Sequence, residues 1–438
     1  MSLCGCMVTK LLSQSRQNLK TVLFILFLLG ISLLYLRRAG EPFDFRCYYQ
    51  GSKDFYKGES LYFTNDINRT CERAQKAPEA ANYKFHTGFY YPPSFGGMMI
   101  PFGMIEYALS VKLWNFFNIW LFFASLYLLI KIFAPYTLEK NKQTILILVT
   151  GALVLSYVQI CIRYGQVQIL VIFLLILSFY LLERDSYFFG SLCIVASICI
   201  KFIPAILWLY PLLIFNKRNI YRFFFHSGFL VVITLLFSCF FRSPLLDLKE
   251  FAMALGGKSQ GIAVENLNQS FFAGMIRLLT EVKVDNEIKP FINIMSLRVE
   301  NVKFIYIFVS SVVFFGLIAL GFFNVRNTDL IESRFSFYSL LITFVTIFSP
   351  LAWSHYFVWL LPGIFLIVQR LIKRSWKDEK FLLSIFIFLA LSNVFTSRDL
   401  IGDKWNPLFK SYSHIMWSGI TVFTGLCFLI WQNKVKSL

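Results

Sequence analysis

The sequence predicts an all-α polytopic membrane protein, a bundle of about twelve transmembrane helices with two long outside loops. Three observations predict it. Of 438 residues, 57% are hydrophobic, 18% aromatic and only 15% charged, whereas soluble domains are about 45–50% apolar and about 25% charged. Apolar segments recur from end to end, too many for one water-soluble core. The Lys and Arg residues behind the net charge of +18 sit mostly in short loops between those segments. In a membrane chain that pattern sets topology, and it removes nucleic acid from the expected partners.

The first apolar run, 21 to 36, has no small-residue cleavage site after it, so it is read as a retained helix and not a signal peptide. Further spans are expected over 111 to 133, 144 to 161, 167 to 182, 188 to 200, 204 to 215, 223 to 241, 304 to 325, 335 to 348, 354 to 371, 381 to 395 and 412 to 432. Residues 1–438 then form one integral membrane domain, with outside loops over 37–110 and 242–303. With the N-terminus inside, the inside loops collect Lys140, Lys142, Arg184, Lys217, Arg218, Arg222, Arg334, Arg370 and Arg374, whereas the short outside loops hold Arg163, Lys201, Arg398, Lys404 and Lys410. Both termini are expected in the cytoplasm of a cell inner-membrane protein.

The segment 188 to 215 is the weakest joint, because thirteen helical residues reach roughly 20 Å against a hydrocarbon core of about 30 Å. Read as one span, it would move the clusters "NKRNIYR" and "QRLIKRSWK" to the side opposite the N-terminus, Lys140, Lys142 and Arg184. The charge pattern therefore favours a helical hairpin turning at Lys201-Phe202-Ile203-Pro204, with Pro204 starting the return.

Nine cysteines are scattered without a Cys-x-x-Cys pair or a Cys/His cluster, so neither metal nor cofactor is expected. Cys47 and Cys71 share the first outside loop, where an oxidising compartment would allow a bridge. Asn68 heads an "NRT" sequon, and Cys4 and Cys6 precede the first span in a weak palmitoylation pattern.

Polar residues near lipid are costly, so their placement is informative. The unusual ones share the outside face: Asp44 in "DFRCYYQGSKDFYKGESLY", then "FYYPPSF", "RYGQVQ", Lys201, "VENLNQSFFAGMIRLL" and "SPLAWSHYF". Nothing inside resembles a phosphate-binding Gly-rich loop, so a cytoplasmic nucleotide is not the expected substrate. A cleft of aromatics, amides, cations and an acid above a helical bundle suits a polar head group whose lipid tail stays in the bilayer. It would also suit a lipid or solute transporter, although internal repeats are not seen.

These segments, in this order and over most of the chain, resemble the polyprenyl-phosphate-mannose-dependent α-1,2-mannosyltransferases of the GT-C superfamily. The pieces that carry the likeness are "DFRCYYQGSKDFYKGESLY", "FYYPPSFGGMMIPFGMI", "GQVQILVIFLLILSFYLLERDSYFFGSLCIVASICIKFIPAILWLYPLL", "NQSFFAGMIRLL" and "SPLAWSHYFVWLLP". The chain departs from the family at Gln168, where an asparagine is frequent, and at Tyr356, where a second histidine is frequent. The resemblance implies transfer of a monosaccharide, with mannose foremost, from polyprenyl phosphate to a lipid or glycan acceptor on the non-cytoplasmic face. A pentose transferase or glycan ligase of the same superfamily is the alternative.

Under that resemblance Asp44 is the base that deprotonates the acceptor hydroxyl. The plain alternative is a solvated charge or a helix N-cap. His355 would meet the donor phosphate or the hydroxyl, or else belong to an aromatic belt. Without a metal cluster the leaving phosphate needs cations. Lys201 and then Arg163 are the candidates, against snorkelling to the head groups. Tyr48, Tyr91, Gln166, Asn268, Gln269 and Ser270 are the candidate sugar and acceptor contacts, the last three equally readable as a turn and helix cap.

Overall fold

The computed structural model describes residues 42–64, 67–68, 89–133, 139–259, 264–326, 328–374 and 378–437. The expected first span, Cys4, Cys6, Arg37, Arg38, Cys71 and His86 lie outside the described residues. The architecture is all-α. The only strands among the described residues are the two-residue pair Phe63–Thr64 and Ile67–Asn68.

In chain order the helices are α1 Phe43–Tyr56, α2 Pro93–Met98, α3 Ile100–Gly103, α4 Tyr107–Phe133, α5 Lys140–Tyr164, α6 Gln168–Leu182, α7 Tyr187–Ile200, α8 Leu209–Ile214, α9 Lys217–Cys239, α10 Pro244–Ser259, α11 Phe271–Leu279, α12 Val299–Leu320, α13 Ile331–Phe348, α14 Leu361–Lys373, α15 Lys380–Leu389, α16 Arg398–Ser411 and α17 His414–Ser437. Among the described residues seven helices are long and apolar enough to cross a membrane, or eight if the bent pair Lys380–Phe395 and Arg398–Ser411 counts as one span. Three further expected spans form shorter apolar helices, Gln168–Leu182, Tyr187–Ile200 and Ile203–Ile214. Nine residues of α6 are buried against its neighbours, so it packs inside the bundle and need not match the bilayer thickness.

The break at Lys201 is a hairpin. Lys201 leaves α7 in an extended conformation, and Pro204 lies in the first turn of a 3₁₀ segment, Ile203–Trp208, that leads into α8. Phe215, beyond the end of α8, stacks edge-on against Tyr187 at the start of α7 with ring centroids 5.8 Å apart. The Tyr210 hydroxyl donates to Glu183 Oε1 at 2.6 Å, just past the end of α6. The return segment therefore finishes where the outgoing one began.

That hairpin keeps the two sets of loops at opposite ends. At one end Arg334 pairs with Glu183 at 3.1 Å, Arg370 with Glu332 and Glu379 at 3.3 and 3.2 Å, and Lys434 donates to Asn324 at 2.6 Å. At the other end lie α1, Gln166, Lys201, Asn268, His355 and α16. The helix α16 turns 93° away from the preceding span, so it runs across this end and does not continue through the bundle. Helices α1, α2, α3, α10 and α11 also fold within stretches expected as loops. They are short, and much of their packing is against neighbours distant in sequence.

The two long loops are clamped together. Arg242 bonds Asp247 Oδ1 at 2.9 Å and both oxygens of Glu250 at 2.9 and 2.7 Å, and Ser60 Oγ donates to Glu250 Oε2 at 2.6 Å. Phe241 packs on Phe55, with centroids 5.1 Å apart. Gly58, at φ +70°, brings its Cα so near the Phe241 carbonyl that a Cβ would sit 2.7 Å from the oxygen. Burial pushes the Asp247 carboxyl up to about 6 from an ordinary 3.8, although Arg242 opposes it. The folded protein therefore holds that proton more tightly than the unfolded chain. This contribution is complete below 3.8 and disappears as pH rises through about 6. Between pH 7 and pH 5 the wild type is expected to gain on the order of 1 kcal/mol relative to Asp247→Asn, after allowing for solvent screening. Melting temperatures of both proteins at the two pH values check it, and parallel pH curves would refute it.

Candidate active site

Asp44 lies in the first turn of α1, where a carboxylate complements the helix dipole. One turn later Tyr48 points from the same face. Pro92 and Pro93 open α2 directly after Tyr91, whose carbonyl is held by the Tyr62 hydroxyl at 2.5 Å. Gly165 ends α5 in the left-handed conformation, φ +67°. This turn projects Gln166 toward α1.

The side chains then form one relay. Gln166 Nε2 donates to Asp44 Oδ2, and Gln166 Oε1 accepts from the Tyr48 hydroxyl at 3.2 Å. The Tyr48 and Tyr91 oxygens are 2.6 Å apart. Tyr48 has a single proton, engaged by Gln166, so Tyr91 is the donor between the tyrosines. Burial pushes both tyrosine hydroxyls well above their usual range, and the Asp44 charge adds to it, so both remain protonated donors. The relay fixes one carboxylate oxygen of Asp44, which is itself only partly buried.

Lys201 closes the group. Its side chain is buried, with Nζ 3.7 Å from the Tyr356 ring centroid and 5.3 Å from that of Tyr91. Asp44 is close enough to act electrostatically on Tyr356, as Lys201 is on His355. His355 is buried at the start of a 3₁₀ turn, Ser354–Leu360, its ring 5.0 Å from that of Tyr356, and its carbonyl accepts a weak bond from Cys161 Sγ at 3.5 Å. Asp44, Tyr48, Tyr91, Gln166, Lys201 and His355 thus converge at one end of the bundle. Tyr356 joins them. The sequence marked it only as a departure from a family pattern, and its position beside His355 was the signal.

Asn268, Gln269 and Ser270 pack against the turn that precedes His355, with their side-chain polar atoms engaged by the protein except Gln269 Oε1, which is buried without a hydrogen-bond partner among the described residues. Asn268 Oδ1 accepts from the Ala352 and Ser270 amides at 3.1 and 3.2 Å, while Gln269 N donates to the Ala352 carbonyl at 2.7 Å. Gln269 Nε2 donates to the carbonyls of Asn266 and Lys410, the latter at 2.8 Å. Ser270 caps α11, accepting from Ala273 N at 3.0 Å, and its hydroxyl donates to the Pro350 carbonyl at 3.0 Å. The second long loop thereby holds the turn that carries His355. Arg163 is exposed and stands apart, its charge acting on Asp403 and Lys410 near α16. Cys47 is in a disulfide, and its partner is not among the described residues. Among the described residues no group of three or more His, Cys, Asp or Glu is placed to hold a metal ion.

The close approach at Gly165 makes a sharp prediction. A Cβ there would lie 2.6 Å from Phe45 Cβ and 2.8 Å from Pro42 Cβ, in a backbone conformation that costs about 1–3 kcal/mol for other residues. Gly165→Ala is expected to push the start of α1 away from Gln166 and lower transfer by roughly 10²-fold. Enzymatic turnover, with melting temperature as the stability control, checks it; wild-type turnover would refute it.

No curated protein matches this chain. A family model described as glycosyltransferase family 87 matches residues 89–350, which hold Tyr91, Gln166, Lys201 and the Asn268–Ser270 segment but stop short of Asp44 and His355. That match covers more than half of the chain. With its membrane-spanning helices, the protein is an integral membrane glycosyltransferase and belongs to glycosyltransferase family 87.

Proposed function

We propose that the protein transfers a monosaccharide, mannose foremost, from a polyprenyl-phosphate donor to a hydroxyl of a lipid or glycan acceptor, with inversion at the sugar C1. The observation that carries this reading is the Asp44 carboxylate, oriented by Gln166 and Tyr48 in the same group as Lys201 and His355. In the reaction Asp44 takes the acceptor O–H proton as that oxygen attacks C1. The C1–O bond to phosphate breaks, and the polyprenyl phosphate leaves with the bonding pair. Lys201, steadied over Tyr356 and Tyr91, neutralises the charge growing on the leaving phosphate. His355 contacts the phosphate or the attacking hydroxyl. Tyr48, Tyr91 and Gln166 position Asp44 and border the sugar. Asn268, Gln269 and Ser270 act through the His355 turn, and Arg163 receives anionic head groups at the rim.

We assign this end to the non-cytoplasmic face of a cell inner membrane, with both termini cytoplasmic. The short loops at the opposite end hold more Lys and Arg residues than the short loops at this end, which supports that orientation. Purified protein incubated with polyprenyl-phosphate [¹⁴C]mannose and membrane-lipid acceptors is expected to yield labelled glycolipid. Passage of label across vesicles without a new glycosidic bond would sink the proposal in favour of a transporter. Preferential use of a pentosyl donor would reassign the sugar.

A further inference from the structure

The strongest feature outside the candidate active site lies at the opposite end of the bundle. A groove of about 340 Å³ opens between the start of α7 and the first turns of α9, lined by Asp185, Tyr187, Phe188, Phe189, Arg222 and His226. Arg218, Arg222 and His226 follow one another at steps of four on α9, and so share a helix face. Among the described residues the side chains of Arg222 and His226 make no hydrogen bond or ion pair. His226 is held by edge-on ring contacts, 5.6 Å from both Phe188 and Phe225. The acid of the groove, Asp185, is engaged by the Tyr187 hydroxyl at 2.6 Å.

The surroundings of the groove are apolar and outward-facing. Phe189, Phe225 and Phe229 are 55%, 72% and 51% exposed, and only 17% of the apolar stretch of α9 is buried inside the protein. That helix therefore faces lipid, and Arg222 stands where its basic first turns give way to the apolar run. A guanidinium fork and an imidazole in one concavity match phosphate oxygens. Aromatic rings beside them match acyl chains, and basic pockets between membrane helices bind acidic head groups.

We propose that this groove is a binding site for an anionic phospholipid, with the phosphodiester on Arg222 and His226 and the acyl chains along Phe189, Phe225 and Phe229. A free phosphate offers the same oxygens but would leave the apolar wall without a ligand. The test uses the full chain purified in detergent, with phosphatidylglycerol, phosphatidylcholine or inorganic phosphate added separately. Melting temperature and lipid adducts in native mass spectrometry are read for each. Phosphatidylglycerol is expected to raise the melting temperature by several degrees and to remain as an adduct, with an advantage over phosphatidylcholine of about tenfold in affinity. Arg222→Gln combined with His226→Gln is expected to lose both effects, while Arg222→Lys keeps part of each. Equal responses to the two lipids, a stabilisation by inorganic phosphate alone, or undiminished adducts in the double variant would overturn the site.

Discussion

Asp44→Asn is expected to lower sugar transfer by at least about 10²-fold, and by up to about 10⁴-fold, the range that a positioned general base contributes. Asparagine keeps the size of the side chain and can still meet the Gln166 amide after turning its own amide group. The relay through Tyr48 and Tyr91 has no reason to collapse, and donor affinity should stay near wild type. A fall in turnover with an unchanged KM for the lipid donor separates loss of the base from loss of binding. An Asp44→Asn enzyme with normal turnover would remove the base from this carboxylate and end the proposed mechanism. Gln166→Leu offers a complementary readout. It leaves the carboxylate in place but takes away the donor that orients it, so its defect should be smaller and its pH profile displaced.

The second large effect is structural. Arg277 is fully buried in α11, and no carboxylate is among its described partners. Its guanidinium is satisfied by oxygens: Nε donates to the Ser411 carbonyl at 3.0 Å, one terminal nitrogen to the carbonyls of Glu265 and Asn268 at 2.9 and 2.8 Å, and the other to Ser413 Oγ at 2.6 Å. Burial lowers its pKa to about 10, so it stays charged at neutral pH. One side chain thus ties α11, the segment from Glu265 to Asn268 and the turn between α16 and α17. Arg277→Met preserves much of the volume but orphans these buried acceptors, at an expected cost of about 3–5 kcal/mol. Because Asn268 holds the Ala352 amide, the His355 turn should loosen as well, so transfer should fall even where the variant remains folded. Melting temperature and activity at a permissive temperature measure the two effects. A melting temperature within a degree or two of wild type would refute the hub.

The reach of the sequence is clearest at Lys201. The distribution of the basic loop clusters favoured a hairpin turning at Lys201 to Pro204, and Phe215 against Tyr187 closes it. The helical class, the spans after the first loop and the clustering of polar groups at one end were equally legible, because each depends on local apolarity or on the cost of placing charge in lipid. The order of motifs pointed to a lipid-linked glycosyltransferase, and the family match supports the glycosyltransferase part. The hydrogen-bond partners of Asn268, Gln269 and Ser270 were not legible. An amide that could bond a sugar and an amide that holds a backbone turn have the same side chain, and the choice depends on which carbonyl the fold brings within reach. Arg277 carried no signal either, since its partners lie up to 136 residues away.

The sequence by itself determined where the chain prefers lipid, which loops share a side and which ionisable residues stand out, because transfer free energies act residue by residue. Only the tertiary structure decided that Gln166 orients Asp44, that Lys201 rests on Tyr356, that Arg163 stands apart and that α16 lies across the end of the bundle. Those outcomes come from hydrogen bonds and ring contacts a few ångströms long between segments distant in sequence, and no local pattern encodes such distances.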